Sequence, residues 1–340
     1  MDRQGAAPAR HVATAPRRTL WAPAYASGSL ATQRSLTAGH NVGVLSTRRT
    51  SSISGVIAVL CGLCVLATTS AASSQSRSER LYFQRGDQLR SVATAKDGKS
   101  RVTARVPNEM VASQVHGRFI YYLTFGHRAA YRGTVWRVPV DGGRPRKLVR
   151  RVPGPQGIAV LNHHVFWLDD RAIGRSRLNG DRTRRHFVVP PTEIGGGVGD
   201  GLATDGTYVY FSRCARRPAI GRVFANGKHL TPRFIHLRSK SCPQAMAADR
   251  DHVYWGELLY NKGGGTIGRA NVDGTKADPA WLPTPTRYHS GPFQLAVGAG
   301  HIYWLWGGEA RTTPWIGRAT IAGHHRKNQF VHGNGGISVG

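Results

Sequence analysis

The sequence predicts an all-β protein in which residues 73–340 form a six-bladed β-propeller. Short β-branched and aromatic runs lie between Gly, Asn and Asp turns, and no stretch has the sustained i, i+3, i+4 apolar spacing of a helix. These runs recur about every 40–45 residues, which is the period of a four-stranded propeller blade. The last residues repeat a strand that the first unit lacks. Together the three observations predict a closed ring of blades.

The clearest repeat is a strand with aromatic residues at its centre. Because one such strand occurs in each unit, its six copies predict six blades. The copies are Leu81-Tyr82-Phe83, Ile120-Tyr121-Tyr122, Val165-Phe166-Trp167, Val209-Tyr210-Phe211, Val253-Tyr254-Trp255 and Ile302-Tyr303-Trp304.

A second repeat follows the aromatic strand. It is a short strand of the type Ile-Gly-Arg that leads into an Asn-Gly or Asp-Gly turn. These dipeptides are strong hairpin signals, because both central residues of the turn need positive φ. The copies begin at Val135, Ile173, Ile220, Ile267 and Ile316, and Asp97-Gly98 marks a degenerate sixth.

A third repeat precedes the aromatic strand and has a small central residue. Its copies are Ile158-Ala159-Val160, Leu202-Ala203-Thr204, Met246-Ala247-Ala248 and Leu295-Ala296-Val297. A small residue suits the inner strand of a blade, because the inner strands converge on the ring axis. Each unit therefore consists of an inner, an aromatic, an Ile-Gly-Arg and a polar outer strand. The run Gly336–Gly340 copies the inner strand, and we expect it to complete the first blade and close the ring.

The chain is strongly basic, with 47 Lys and Arg against 18 Asp and Glu and a net charge of +29. Residues 1–72 hold only seven of the basic residues and one of the acidic ones, so the predicted propeller keeps a net charge of about +23. This charge favours an anionic partner such as nucleic acid, lipid or wall polymer. A compositional bias without a partner is the alternative, since the charge is spread along the chain.

The N-terminal segment has the pattern of an export signal. Residues 1–50 are predicted to be a disordered leader, or sequence upstream of the true start codon. Residues 51–72 contain the apolar run Ile53–Ala67 and the small residues Ser70-Ala71-Ala72, which are typical of a secretory signal. The apolar run is shorter than the ~20 residues of a membrane span, so a cleaved signal is predicted, with an anchor at residues 53–67 as the alternative. Either interpretation places residues 73–340 outside the cytoplasm, secreted or membrane-anchored.

The repeats resemble a known family. The aromatic strand followed by Ile-x-Arg-x-x-x-Asp-Gly is similar to the YWTD repeats of the low-density lipoprotein receptor class B-like six-bladed propellers and their bacterial relatives. The resemblance covers nearly all of residues 80–340 and implies a scaffold that mostly serves binding. In the fourth place of the motif, Asp169 is taken as the only acid, with Ser212, Gly256 and Leu305 in later units. The family's polar contacts between blades are therefore expected to differ here.

One face of the ring is predicted to be the working surface. The loop between the second and third strands of a blade lies on the same face as the connection to the next blade, and these loops vary most in length. Variable loops on a rigid scaffold commonly carry function. The predicted binding-face residues are His127, Arg128, Tyr131, Arg132, Asp169, Asp170, Arg216, Arg217, Tyr260, Trp306 and Arg311.

Other recurring or paired residues are predicted to be structural. Cys214 and Cys242 lie in two loops of that face and are predicted to form a disulfide, which export permits; two free thiols are the alternative. A recurring Arg is expected to pack on an aromatic ring or bond to a carbonyl, and a recurring His to pack against rings. These residues are Arg137, Arg175, Arg222, Arg269 and Arg318, and His164, His252 and His301.

The predicted function is that of an exported binding or scaffold protein that recognises a protein or an anionic polymer at the cell envelope. No sequence-specific nucleic-acid binding is expected, and contact with the membrane is expected only through the N-terminal segment. The chain lacks a nucleophile elbow, a zinc helix and a phosphate loop. The alternative is a divalent-ion-dependent enzyme of the streptogramin-lyase type, with His289, His332, Glu257 and Glu309 as candidate catalytic residues. No cofactor or metal is expected outside that alternative, and the oligomeric state is left open.

Overall fold

The computed structural model consists entirely of strands, turns and loops in the residues that it describes. None of these residues forms a helix long and apolar enough to cross a membrane, and residues 1–72 lie outside them. The described ranges are 79–95, 99–126, 131–190, 201–214, 217–237, 243–258, 264–285, 291–307 and 314–340.

Twenty-four strands form the described fold. They are β1 (Arg80–Arg85), β2 (Gln88–Ala93), β3 (Arg101–Arg105), β4 (Met110–His116), β5 (Phe119–Thr124), β6 (Arg132–Pro139), β7 (Arg146–Pro153), β8 (Gly157–Leu161), β9 (His164–Leu168), β10 (Ile173–Arg177), β11 (Arg184–Val188), β12 (Leu202–Thr204), β13 (Tyr208–Arg213), β14 (Ala219–Phe224), β15 (Thr231–His236), β16 (Pro243–Ala248), β17 (His252–Leu258), β18 (Gly265–Asn271), β19 (Asp278–Pro283), β20 (Gln294–Gly298), β21 (His301–Trp306), β22 (Trp315–Thr320), β23 (Lys327–His332) and β24 (Gly335–Val339).

The strands form six antiparallel sheets of four, and each sheet is one blade. Blades 2 to 6 each use four consecutive strands, from β4–β7 in blade 2 to β20–β23 in blade 6. Blade 1 has the order β24-β1-β2-β3, so the C-terminal strand supplies its inner strand. Leu81 pairs with Val339, and Tyr82 pairs with Ser338. The predicted six-bladed all-β fold and its closure by the C-terminal strand are confirmed.

The hydrophobic core is divided among six spaces between neighbouring blades. Between blades 1 and 2, for example, Tyr82 and Leu89 pack with Tyr122 and Trp136. The aromatic strands supply the largest fully buried side chains. Each blade therefore buries its apolar faces against both neighbours, as a propeller requires.

The glycine of each Ile-Gly-Arg strand lies beneath an aromatic ring of the neighbouring strand. A Cβ at any of these glycines would overlap ring atoms. The pairs are Gly174–Trp167, Gly221–Phe211, Gly268–Trp255 and Gly317–Trp304. In blade 2 the glycine is replaced by Trp136, which faces the smaller ring of Tyr122 and stacks with it at 6.1 Å between ring centroids. Blades 2 to 6 thus each contain one large indole or phenyl ring at this level.

The recurring Arg of the third strand fastens each blade to the next one. Its Nη1 donates a hydrogen bond of 2.8–3.3 Å to a backbone carbonyl in the following blade. The pairs are Arg137–Leu178, Arg175–Ala225, Arg222–Val272, Arg269–Ile321 and Arg318–Thr94. Each guanidinium also lies over an aromatic ring, at 3.7 Å from the ring centroid for Arg222 and Phe234. The predicted structural role of these Arg residues is confirmed.

Blade 1 obtains its guanidinium from a different position. Ser91 pairs with Tyr82 where Arg222 pairs with Tyr210 in blade 4. Arg80, at the start of β1, donates from Nε to Ser91 Oγ at 3.1 Å and from Nη2 to the Ser91 carbonyl at 3.3 Å. Arg80 thus lies beside the buried Ser91, in the space that the third-strand Arg fills in the other blades.

The recurring His residues begin their aromatic strands and pack against the ring two residues later. The centroid distances are 5.9–6.2 Å for the pairs His164–Phe166, His252–Tyr254 and His301–Tyr303. The predicted packing of these rings is therefore confirmed.

The strand register corrects the assignment of the fourth motif place. Ser212, Gly256 and Leu305 pair with the Ile of the third strand, as Leu168 does, so all of them hold the third place. The fourth place belongs to the following residues: Asp169, Arg213, Glu257 and Trp306. The expectation that Asp169 is the only acid there is wrong, because Glu257 is a second one. The physical reason is that the residue after the aromatic pair still pairs with the Ile of the third strand. The fourth place of the motif therefore lies one residue closer to the loop than the aromatic repeat suggests.

Candidate binding face

The ring has two distinct faces. The loop face contains the loops between second and third strands and the connections between blades, and the turn face contains the remaining hairpins. The described ranges include the candidates Tyr131, Arg132, Asp169, Asp170, Arg217, Trp306, Glu257 and His332. The candidates His127, Arg128, Arg216, Tyr260, Arg311, His289, Glu309 and Cys242 lie outside the described residues.

The loop face has a prominent feature where blade 2 meets blade 3. Tyr131 directly precedes β6, is 78% exposed and has a φ of 43°, which is uncommon for an aromatic residue. Its carbonyl accepts a 2.7 Å hydrogen bond from the N–H of Gly154. Gly154 lies against the side chain of Asp170, which would be 3.0 Å from a Cβ at that position. We call Tyr131, Arg132, Gly154 and Asp170 the blade 2–3 ledge, and its three candidates are exposed.

Asp169 precedes the ledge residue Asp170 but is only 1% exposed. Its Oδ1 accepts hydrogen bonds from the N–H groups of Arg171 at 2.9 Å and Ala172 at 2.8 Å. Its buried Oδ2 has no hydrogen-bond partner among the described residues. Burial raises the pKa of the Asp169 carboxyl, and the two backbone N–H groups only partly oppose this effect. Asp169 therefore holds the loop in shape from the inside.

Two further candidates are also buried at the ends of their second strands. Trp306 donates from Nε1 to the carbonyl of Asn328 at 2.6 Å. Glu257 is 1% exposed and accepts a 2.9 Å hydrogen bond from Nε1 of Trp255. Arg217, in contrast, is exposed just before β14. The fourth-place side chains thus support the loop face from within, while the surface itself is formed by residues beyond them.

The described candidates for catalysis belong to different blades. His332 ends β23 in blade 6, and its ring packs on Trp315 with 3.3 Å between centroids. Glu257 lies in β17 of blade 5, and no described hydrogen bond or ion pair joins it to His332. The described ranges contain no group of three or more His, Cys, Asp or Glu side chains that could hold a metal ion.

Amide side chains tie the inner strands together around the axis. Gln114 accepts a hydrogen bond from the N–H of Val160 at 2.7 Å and donates to its carbonyl at 3.4 Å. Gln294 accepts from the N–H of Ile337 at 3.1 Å and donates to the carbonyl of Val111 at 2.6 Å. No role was predicted for either Gln from the sequence. The available signal was an amide side chain at a position where other inner strands have a small residue. None of the six inner strands contains Asp or Glu.

Two shallow cavities lie on the turn face, which sequence reasoning did not select. One, of about 730 Å³, lies between blades 4 and 5, and its lining includes Asp205, Tyr208, Arg222, Arg250 and Asp273. The other, of about 540 Å³, is lined by residues of blades 2 to 4 that include Gln114, His116 and His163. Asp205 also accepts a 2.8 Å hydrogen bond from the Tyr210 hydroxyl, and burial, assisted by this carboxylate, raises the pKa of Tyr210. A signal for this pair existed in the sequence, because Asp249 and Tyr254 repeat it at 3.0 Å.

Cys214 directly follows β13 and is disulfide-bonded. Its predicted partner, Cys242, lies outside the described residues, so the pairing of these two residues stays a prediction.

Among the comparisons with known proteins, one solved structure, a xyloglucanase, supports the fold. No family model and no curated protein matches the chain. Two solved structures of AztD from Citrobacter koseri, one of them the apo form, are 13% identical, with TM-scores of 0.38 and 0.39, and cover 78% of this chain and 73% and 72% of theirs. A GH74 xyloglucanase from Xanthomonas campestris is 13% identical with a TM-score of 0.52, and the match covers 74% of this chain and 43% of that one. The chain spans less than half of the xyloglucanase and shares with it a propeller fold.

Proposed function

We propose that the protein is an exported propeller that binds a partner protein through its loop face. The observation that carries this proposal is the blade 2–3 ledge. Tyr131 is 78% exposed and has a left-handed backbone conformation, and the same ledge contains the exposed charged residues Arg132 and Asp170. Strained exposed residues persist where the surroundings hold them and are concentrated at functional sites. Tyr and Arg are also the residues most enriched at the energetic centres of protein interfaces.

The rest of the ring suits a scaffold. Three kinds of contact fix the blades relative to one another. They are the hydrogen bonds from a third-strand Arg to a carbonyl of the next blade, the apolar cores between blades, and the hydrogen bonds of Gln side chains between inner strands. Such a rigid ring loses little entropy when a partner binds, which favours affinity. The resemblance to YWTD-type binding propellers points the same way, and inner strands without Asp or Glu offer a metal no carboxylate ligands at the axis. The disulfide of Cys214 and the signal-like segment support a place outside the cytoplasm.

Site-specific cross-linking tests the proposal. A photo-reactive amino acid replaces Tyr131 in the full chain. In the control, the same photo-reactive amino acid replaces Val102, which is 50% exposed on the outer strand of blade 1. We expect a discrete protein adduct at position 131 in intact cells and none at position 102. Equal labelling at both positions would contradict a specific loop-face partner.

A melting experiment separates this function from the enzyme alternative. Thermal unfolding of the purified full chain is followed with a series of divalent ions, since a ligand of the native state raises the midpoint by mass action. Under the binding proposal the midpoint does not depend on the ion. A saturable shift with one divalent ion, together with no adduct at position 131, would favour a metal-dependent enzyme instead.

A further inference from the structure

Eight exposed cations lie on the outer strands of blades 2 and 3 and in the turns that precede them. We call them the rim patch: Arg144, Arg146, Lys147, Arg150, Arg151, Arg182, Arg184 and Arg185. The segments 144–153 and 182–188 contain no acidic residue. The corresponding segment of blade 5, residues 276–283, has one Lys and one Asp. The outer segments of blades 4 and 6 carry two cations each, and that of blade 1 carries Lys99, Arg101 and Arg105. Positive charge is therefore denser on the side of the ring that contains blades 1 to 3, and the rim patch is the part of it on blades 2 and 3.

The two strands of the rim patch are physically joined. Arg185 in β11 donates to the carbonyl of Arg151 at 3.1 Å and to that of Arg150 at 2.9 Å in β7. Arg151 has a φ of 57° at a point where the pairing of β6 and β7 shifts register. A bulge of this kind redirects the side chains around it. The guanidinium groups of two blades are thus held on one continuous surface.

The charges of the rim patch are not neutralised within the described residues. No ion pair joins any of its eight cations to a carboxylate in the described part of the chain. Arg184 lies close enough to Arg175 to help lower its pKa, in second place after burial. Arg175 is not one of the eight cations, but like charges this close are unfavourable in the free protein, so an anion bound at Arg184 relieves the repulsion between these two groups.

We propose that the rim patch binds a linear phosphate-bearing polymer of the cell envelope. Seven of the eight cations are Arg, whose planar fork of N–H donors matches phosphate oxygens in pairs. In such a polymer each phosphate has two terminal and two bridging oxygens around a tetrahedral phosphorus, so guanidinium groups on both strands can approach it from different directions, whereas all the acceptor oxygens of a carboxylate lie in one plane. The strands rise about 3.3 Å per residue, so the patch extends along its edge and suits repeated charges on one chain.

The composition of the patch disfavours other macromolecules. Base stacking uses exposed aromatic rings, and the exposed large hydrophobic residues of the described surface, Val102, Tyr131, Val189, Phe293 and Ile321, include no Phe, Tyr or Trp of β7 or β11. The exposed ring on these two strands is the single imidazole of His186. A protein interface would similarly need an apolar centre. The rim patch therefore suits a polymer that is contacted through charge alone. This surface is on the side of the ring and consists of residues other than those of the blade 2–3 ledge, although β7 contributes to the first and leads directly into the second.

Calorimetric titration of the purified full chain with sodium polyphosphate tests the proposal. The variant R146Q/R150Q/R184Q removes three rim-patch cations, and K228Q/R250Q/K276Q removes three exposed cations from blades 4 and 5 as the matched control. We expect the rim variant to bind about tenfold or more weakly and its plot of log K against log salt to be shallower by about 2, because each phosphate contact contributes roughly 0.7–0.9 to the slope. The control variant should stay within about threefold of wild type. Equal losses in both variants, or none in either, would overturn the proposal.

Two further arms identify the anion. R146K/R150K/R184K keeps the charge but loses the forks, so we expect polyphosphate affinity between those of wild type and the Gln variant. Wild-type affinity in the Lys variant would contradict recognition by guanidinium forks. Polygalacturonate and single-stranded DNA of equal total charge should bind more weakly than polyphosphate. Tighter binding of polygalacturonate would overturn the phosphate assignment, and tighter binding of DNA would replace it with a nucleic acid.

Discussion

The indole ring of Trp255 covers Gly268 in the adjacent strand so closely that no side chain fits at Gly268. The two residues face one another in the register of β17 and β18, and the ring is fully buried between blades 4 and 5. Gly268→Ala should therefore destabilise the protein by about 1–3 kcal/mol, which is the usual cost of overpacking a core. Urea unfolding of the two proteins measures this difference.

A double-mutant cycle shows whether the ring causes that loss. In the background Trp255→Ala the space above Gly268 is empty, so Gly268→Ala should cost less than about 0.5 kcal/mol there. An equal loss in both backgrounds would mean that the Gly268 backbone, and not the indole, is the cause.

Arg222 contributes to stability through three contacts that Lys cannot reproduce together. Its guanidinium lies 3.7 Å from the ring centroid of Phe234 and 4.2 Å from that of Tyr208, and it donates to the Val272 carbonyl of the next blade. Arg222→Lys keeps the charge but loses the planar group, so we expect a loss of about 1–3 kcal/mol. The exposed Arg250→Lys is the control and should change the unfolding free energy by less than about 0.5 kcal/mol. A similar loss of unfolding free energy in both variants would argue against a stabilising role for the contacts of Arg222.

Asp169 should make stability depend on pH in a defined direction. Burial raises its folded pKa above the unfolded value, so the protonated folded form is favoured. The contribution of Asp169 to the free energy of unfolding is fully present below the unfolded pKa of about 3.9. It is lost as pH rises through the folded pKa. Asp169→Asn keeps the Oδ1 acceptor but does not titrate. The stability of wild type relative to this variant should therefore decrease as pH rises above about 4.

Chemical unfolding of both proteins at several pH values measures that difference. Asp169→Ala, which also loses both hydrogen bonds to the loop backbone, should be less stable than Asp169→Asn at every pH. A constant difference between wild type and Asp169→Asn would contradict a raised pKa.

The predicted bond between Cys214 and Cys242 closes a loop of about 28 residues. Such a cross-link contributes roughly 3 kcal/mol, mainly by restricting the unfolded chain. We expect Cys214→Ser, Cys242→Ser and the double variant to be destabilised equally, and a reducing agent to lower the melting temperature of the wild type alone. Peptide mapping under non-reducing conditions identifies the partner. Unequal single variants would indicate that Cys214 pairs with another cysteine.

The sequence was sufficient for the architecture because each blade repeats the residues that its geometry requires. Three features recur at the same distance from the aromatic strand in most blades: a ring under which only Gly fits, an Arg that reaches the next blade, and a small residue near the axis. The C-terminal copy of the inner strand even indicated the closure. Repeated residues report on repeated contacts, and this explains why Arg and His could be assigned to structure in advance.

Contacts that occur once were not predictable in the same way. The hydrogen bonds of Gln114 and Gln294, and the use of Arg80 in place of a third-strand Arg, each depend on a residue type that does not recur at the corresponding positions of the other blades. Exposure of Tyr131 and burial of Asp169 depend on local loop geometry that residue type alone does not determine. The rim patch arises because the curvature of the ring brings two separate runs together.

Blade 1 is assembled from segments about 256 residues apart, since Tyr82 pairs with Ser338. Bringing such distant segments together is slow because a long loop must close first. Until β24 arrives, β1 has an open edge that can pair with another chain. A polypeptide in which β24 has not yet been synthesised therefore cannot complete its first blade, and its ring stays open at β1.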